Sequence, residues 1–180
     1  MSHIMLDLET LDTSSSAVVV SIGAVRFDFD SDQQQSFYTT LTDWRTQTEK
    51  GRIIGPDTVR WWLQQSPEAI AGILEQNGCS TEQALLDFKD FVLADGIAAC
   101  VWGNGADFDN IILGSLYDDF DIKKPWSYSR NRCFRTMKNL SLPREFVAPP
   151  NIGTHHNALD DALYQTAYLR AIVKALKLEM

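Results

Sequence analysis

The chain has 180 residues, 44% of them hydrophobic and 22% charged, and a formal net charge of −8. This composition predicts a single folded domain spanning residues 1–180 and excludes an intrinsically disordered chain. No apolar run approaches the roughly 20 residues that a membrane-spanning helix needs, so no membrane partner is expected. The acidic balance argues against a protein that holds nucleic acid by charge alone.

Cysteine usage and the N-terminus indicate the compartment. Cys79, Cys100 and Cys133 are odd in number, widely spaced and free of any Cys-x-x-Cys pattern. Such a set is typical of reduced thiols rather than of a disulfide framework or a zinc site. The N-terminus lacks the basic region and apolar core of a signal peptide. Together these features predict a cytoplasmic protein.

The first predicted element is a strand over residues 4–10 that carries two acids, Asp7 and Glu9. Because side chains alternate along a strand, both acids project to one face, about 6–7 Å apart, while Leu6 and Leu8 project to the other. Two like charges on an apolar strand are costly unless a positive charge lies between them. Since Mg²⁺ and Mn²⁺ prefer carboxylates, the pair is a candidate metal site. A solvated strand end is the alternative interpretation.

Two further strands follow a polar loop. They are expected at residues 17–29, with Gly23 as a possible bulge, and at residues 37–41. The short connections between the strands predict that the first three form an antiparallel meander.

The middle of the chain is predicted to be helical. Helix starts are expected at Asp57, Ser66 and Thr81, a short buried strand at residues 97–102, and a closing helix at about residues 157–176. Strands followed by helices that alternate with strands predict an α/β fold with a mixed central sheet flanked by helices.

A second acidic motif, residues 103–110, lies where the short buried strand gives way to a helix. Asp107 has a structural role available as the N-cap of that helix, whereas Asp109 lies in its first turn. Helical phase alone does not choose between these two acids as ligands.

A third motif, residues 155–162, opens the closing helix. With Asn157 as N-cap, His156 precedes the helix and an acid lies about one turn inside it. An imidazole close to such a carboxylate is a recognisable arrangement for a catalytic base, although a single histidine more often has a surface or capping role. Phase does not choose between Asp160 and Asp161.

These three motifs, at residues 7–10, 104–109 and 156–162, resemble the exonuclease motifs of the DEDDh (DnaQ-like) superfamily of 3′–5′ exonucleases. The resemblance spans almost the whole chain, and its last motif, His-x-Ala-x-x-Asp-Ala, is the most specific. Trp61-Trp62 and Arg135-Thr136 further resemble small bacterial and phage exonucleases, including the mycobacterial-type exoribonuclease domain. The resemblance implies a ribonuclease H-like fold.

The resemblance also implies a catalytic site. Asp7, Glu9, Asp109 and Asp161 would bind two divalent cations, Mg²⁺ or Mn²⁺, with Asp7 shared by both, and His156 would be the general base. The implied reaction is hydrolysis of phosphodiester bonds from the 3′ end of single-stranded or 3′-overhang nucleic acid, with release of nucleoside 5′-monophosphates.

Substrate contacts are expected at three residues. The resemblance suggests that Thr10 and Leu11 contact the terminal nucleotide. Arg135, in a basic segment at residues 123–144 that contains no acid, is a candidate phosphate contact. The partner is the 3′ end of RNA or of DNA, between which the sequence does not choose. Homodimerisation is common in the superfamily and is possible here.

Three other classes compete with an exonuclease. A catalytically silent nucleic-acid-binding or protein-interaction module of the same fold is disfavoured because all five catalytic positions are present. A phosphatase with an aspartyl nucleophile typically shows Asp-x-Asp rather than Asp-x-Glu. An endonuclease of ribonuclease H type is disfavoured by the His-x-Ala-x-x-Asp motif.

Overall fold

The structure, a computed structural model, describes residues 2–96 and 99–179. The strands are β1 (His3–Thr10), β2 (Val19–Phe27), β3 (Gln34–Thr40), β4 (Cys100–Gly103) and β5 (Asn131–Cys133). The helices are α1 (Trp44–Glu49), α2 (Pro56–Trp62), α3 (Pro67–Ile73), α4 (Thr81–Leu93), α5 (Asp109–Asp119), α6 (Phe134–Lys138) and α7 (Ala158–Leu176). The predicted start of the fourth strand, at residues 97 and 98, lies outside the described residues. Among the helices of the described segments, none is both long and apolar enough to cross a bilayer.

The strands form one mixed sheet in the order β3-β2-β1-β4-β5. β1 pairs antiparallel with β2, and β2 pairs antiparallel with β3. β4 lies parallel to β1, and β5 lies parallel to β4. The predicted α/β fold, with its antiparallel meander and flanking helices, is therefore confirmed, and it is compatible with a ribonuclease H-like fold.

Helices cover both faces of the sheet. Ile4, Leu6 and Leu8 of β1 pack in a core cluster with α4 and α5. Met5, on the opposite face, packs in a second cluster with α6 and α7. Because β1 is regular up to Glu9, Asp7 shares the face of Met5. The acids of β1 therefore face the layer that contains α7.

The prediction of a bulge at Gly23 is wrong, and this glycine has a different role. It pairs in regular register with Asp7, and the register shift between β1 and β2 lies instead at Glu9 and Thr10. A Cβ atom at Gly23 would lie 2.1 Å from the carbonyl carbon of Ala158. Glycine is therefore needed because the first residue of α7 packs directly on the backbone of β2 at Gly23, the residue that pairs with Asp7.

Ser66 and Asn157 cap their helices as predicted, whereas Asp57 does not. The Ser66 side chain accepts a hydrogen bond from the backbone of α3, and the Asn157 side chain accepts two from the backbone of α7. Asp57, however, lies within the first turn of α2, where Gly55 occupies the N-cap and Pro56 the first helical position. Proline favours that position because its fixed φ is already helical and it has no N–H to satisfy.

Candidate active site

Four carboxylates from three separate elements line one pocket of about 330 Å³. Asp7 and Glu9 come from β1, Asp109 is the first residue of α5, and Asp161 lies in the first turn of α7. His156, in the loop before α7, lines the same pocket. The structure thus brings together all five residues that were predicted to form the catalytic site.

Asp109 is held against β1. Its Oδ1 accepts a hydrogen bond from the backbone N–H of Leu8 at 3.2 Å, and only 2% of the residue is exposed. A Cβ atom at Gly103 would lie 2.9 Å from Oδ2 of Asp109, so the glycine at the end of β4 leaves room for this carboxylate. Asp107 is exposed and is not the N-cap, a position that Phe108 occupies. Of the two acids that the sequence left open, only Asp109 lies in the pocket.

Asp160 and Asp161 have different partners at the start of α7. Oδ2 of Asp161 accepts a hydrogen bond from the backbone N–H of His156 at 3.0 Å. Oδ2 of Asp160 accepts one from the backbone N–H of Thr154 at 2.8 Å. Asp161 therefore lies in the pocket, whereas Asp160 holds the preceding loop. His156 has a φ of 63°, a left-handed conformation uncommon for residues other than glycine, and its bond to Asp161 restrains it there.

Two tryptophans support the imidazole of His156. The ring of Trp61 contacts it edge to face, with ring centroids 4.7 Å apart, and the ring of Trp62 lies at 6.1 Å. Trp62 is buried and donates its indole N–H to the carbonyl of Thr10 at 2.9 Å, whereas Trp61 is 41% exposed. Because adjacent residues of a helix do not share a face, one tryptophan of the pair lies in the core and the other nearer the surface.

The donor set fits a divalent cation. One potential ligand atom from each of Glu9, His156 and Asp161 lies within 4.8 Å of the other two. Asp7 and Asp109 add further carboxylate oxygens to the same pocket. Oxygen-rich sites of this kind suit Mg²⁺ or Mn²⁺.

Electrostatics also favour a bound cation. Burial, followed by the charges of Asp161 and Asp109, raises the pKa of Glu9 to about 8. Burial and the charges of Asp109, Glu9 and Asp161 raise the pKa of Asp7 well above its usual value. Burial raises the pKa of Asp109 to about 7 and raises that of Asp161 as well. Since each carboxylate disfavours ionisation of its neighbours, a dication would relieve the repulsion.

Of the three predicted substrate contacts, Arg135 lines the pocket, whereas Thr10 and Leu11 do not. Thr10 is 6% exposed and donates its hydroxyl to the carbonyl of Asp12 at 2.7 Å, and Leu11 is 5% exposed within a core cluster. Arg135 donates to the backbone carbonyl of Asn104, another residue of the pocket lining. Substrate roles for these three residues stay predictions.

Gln165 is a pocket residue that the sequence reasoning missed. Its Nε2 donates to Oδ1 of Asp7 at 2.7 Å. The signal was present: Gln165 lies one turn after Asp161, within a helical stripe that is otherwise apolar at Ala162 and Leu169. The other pocket residues not predicted as site residues are Leu8, Asn104, Phe108, Phe134, Lys138, Asn151, His155 and Tyr164.

A second pocket of about 440 Å³ adjoins the site. Glu9 and Phe108 line both pockets, so the two share a wall. Thr13, Thr58 and Trp61 line the second pocket alone. A planar group bound beside the carboxylates would contact the exposed indole of Trp61 in this second pocket.

Comparison with known proteins gives one curated relative and one family. An exodeoxyribonuclease of Enterobacteria phage T4 is 27% identical over 129 residues, which is 66% of this chain and 57% of the phage protein. The match therefore covers little more than half the length of that protein. No solved structure gives a significant match.

The family match covers nearly all of the chain. The sequence model of a family described as the 3′–5′ exoribonuclease Rv2179c-like domain matches residues 2–173. That range includes every carboxylate of the pocket and the loop with His156. The chain therefore belongs to the Rv2179c-like family of 3′–5′ exonucleases.

Proposed function

We propose that this protein is a metal-dependent 3′–5′ exonuclease of the DEDDh type. It hydrolyses phosphodiester bonds at the 3′ end of single-stranded or 3′-overhang nucleic acid and releases nucleoside 5′-monophosphates. The observation that carries the proposal is the meeting of Asp7, Glu9, Asp109, Asp161 and His156 in one pocket, from elements far apart in the chain.

Asp7, Glu9, Asp109 and Asp161 would hold two divalent cations, Mg²⁺ or Mn²⁺. When bound, such cations lower the pKa of water and stabilise negative charge at phosphorus and at the leaving oxygen. The negative charges of Asp109, Glu9 and Asp161 all raise the pKa of Asp7, so Asp7 is close enough to interact with each of the other three acids. This supports its role as the shared ligand.

His156 is the proposed general base. Its ring is held at the pocket by Trp61, and its backbone by Asp161. A base in this position takes the proton of the attacking water as the water's oxygen bonds to phosphorus. The 3′ oxygen of the preceding nucleotide then leaves, so the released product keeps the phosphate on its 5′ carbon.

The nucleic acid would lie across both pockets. The base of the terminal nucleotide fits the second pocket, where stacking on Trp61 contributes about 1–3 kcal/mol. Thr10 lines this second pocket, and Thr10 and Leu11 are the proposed contacts of the terminal nucleotide. Arg135 and Lys138 line the first pocket together with the acids and would hold a phosphate.

The test is digestion of matched 5′-labelled RNA and DNA single strands with Mg²⁺ or Mn²⁺. We expect a ladder that shortens from the 3′ end and is abolished by EDTA or by a blocked 3′ end. Internal cleavage of the blocked strand would instead indicate an endonuclease, and binding without cleavage would indicate a catalytically silent module. The family is described by its action on RNA and the phage relative by its action on DNA, so the two substrates are compared directly.

Paired variants test the assignment of the acids. Asp109→Asn and Asp161→Asn are expected to lose at least about 100-fold in rate, because each removes a charged ligand oxygen of the reacting centre. Asp107→Asn is the matched control, since Asp107 lies exposed in the same turn. Full activity of Asp109→Asn together with loss in Asp107→Asn would reverse the assignment.

Two further parts of the proposal concern the whole protein. All three cysteines are free thiols, which supports a cytoplasmic location because that compartment keeps thiols reduced. A homodimer stays a prediction, which light scattering coupled to size-exclusion chromatography would test.

A further inference from the structure

Gln165 is a buried amide on the apolar face of α7. Only 4% of the residue is exposed. Its neighbours on that face, Ala162 and Leu169, are fully buried. Burying an amide among such residues is unfavourable unless the amide is hydrogen-bonded, so its partner indicates its role.

Only one of the two polar atoms of the Gln165 amide has a hydrogen-bond partner among the described residues. Nε2 donates to Oδ1 of Asp7 at 2.7 Å, across 158 positions of the chain. Oε1 is buried and has no hydrogen-bond partner among the described residues. A methionine of similar length would fill the same space without leaving an oxygen unpaired. The contribution of Gln165 to stability therefore does not account for an amide at this position.

The hydrogen bond from Gln165 restrains the orientation of the Asp7 carboxylate. The terminal torsion of an aspartate is broad, so its carboxylate plane is free to rotate unless a partner holds it. Gln165 donates one hydrogen bond to Oδ1 of Asp7, so this contact leaves Oδ2 and a second lone pair of Oδ1 free of Gln165. Asp7 would therefore keep acceptor positions with which to hold a cation, in an orientation that Gln165 restrains.

The same contact links two of the proposed ligands. Gln165 and Asp161 lie one turn apart on α7, so they share a face of the helix. Gln165 reaches back to Asp7 on β1, while Asp161 projects into the pocket. The orientation of Asp7 is therefore set by the helix that carries Asp161.

We propose that Gln165 is a positioning residue that orients the Asp7 carboxylate for cation binding. The proposal rests on the metal-dependent function above and adds to it a residue that does not contact the cation. Outer partners that orient ligating carboxylates typically contribute 10- to 100-fold in metal affinity.

The experiment measures Mn²⁺ binding without substrate, by electron paramagnetic resonance of the free ion. Gln165→Met removes the donor at similar length, and we expect its dissociation constant for Mn²⁺ to rise about 10- to 100-fold. The Mn²⁺ concentration for half-maximal activity should rise by the same factor, while the rate at saturating Mn²⁺ recovers most of the wild-type value.

The chain offers a matched control. Gln83 donates from Nε2 to Oδ1 of Asp87 at 2.7 Å on the exposed surface of α4. Gln83→Met removes the same type of bond away from the pocket and should leave Mn²⁺ binding unchanged. Thermal unfolding in EDTA shows whether each variant is folded.

The outcomes separate this proposal from the proposed function. Wild-type affinity in Gln165→Met would overturn the positioning role alone. Should that variant not fold, Gln165→Asn decides, because its amide is one methylene too short to reach Asp7, and wild-type affinity there would equally overturn the role. If the wild-type protein binds no Mn²⁺, or if Asp161→Asn binds it as well as wild type, the proposed function itself fails.

Discussion

A methyl group at Gly23 tests whether the docking of α7 on the sheet assembles the site. The Cβ atom of an alanine at this position would lie 2.1 Å from the carbonyl carbon and 2.3 Å from the carbonyl oxygen of Ala158, and 2.3 Å from the nitrogen of Leu159. All three atoms belong to the backbone, so no side chain can rotate away. Because carbon atoms in contact lie about 3.5–4.0 Å apart, the start of α7 must move by more than about 1 Å.

The displacement has a cost in stability and a larger one in activity. Overpacking of this kind typically costs about 1–3 kcal/mol. For a chain of this size that lowers the melting temperature by roughly 2–12 °C. The displaced turn carries Asp161 and leads directly from His156. A misplacement of about 1 Å in a catalytic group can cost about 100-fold in rate, so Gly23→Ala should be a folded protein with about 1% of wild-type activity.

Gly72→Ala is the matched control. Gly72 lies in α3, and a Cβ atom there would have no neighbour within 4 Å. The substitution should raise stability by up to about 1 kcal/mol, since alanine favours the helix. Calorimetry gives both melting temperatures, and digestion of a 5′-labelled oligonucleotide gives both rates. A Gly23→Ala protein as active as wild type would refute the reasoning, even if it were less stable.

Two other predictions concern the charges of the site. In EDTA, the free energy of unfolding should fall as pH rises from about 4.5 to 8. The pKa of Glu9 is raised from 4.5 to about 8 in the folded protein, and that of Asp109 from 3.8 to about 7. The folded state therefore binds more protons than the unfolded state across that window, so it loses stability as the protons leave. Thermal unfolding across this range checks the sign, with Mn²⁺ expected to oppose the fall, and a stability that increases with pH would contradict it. Asp160→Ala should loosen the loop that ends at His156, at a cost of about 1–3 kcal/mol for the unpaired N–H of Thr154; hydrogen exchange at Thr154 should accelerate, and unchanged exchange would exclude this role.

Local patterns predicted the parts of the fold that depend on neighbouring residues. The alternation of Leu6 and Leu8 with Asp7 and Glu9 assigned the two faces of β1 correctly, because strand periodicity is a property of the strand alone. The cap at Asn157 was predictable for the same reason, since its side chain bonds to the next turn of the same helix.

The errors and omissions concern contacts between distant parts of the chain. Gly23 was expected to form a bulge, but its conformation is regular and its lack of a side chain serves α7, which begins 135 positions later. The choice between Asp107 and Asp109 depends on which acid turns back to Leu8, 101 positions before Asp109. Helical phase contains no information on such a contact.

The two sides of the site are therefore held in different ways. Asp109 is fixed from β1 by the backbone N–H of Leu8, which only a substitution by proline would remove. On the other side, α7 contributes Asp161, holds His156 through it and orients Asp7 through Gln165. All of these depend on the docking of α7 on the sheet, which includes the close approach between Gly23 and Ala158. A change that displaces α7 should therefore alter three of the five proposed catalytic groups at once, whereas the position of Asp109 should persist.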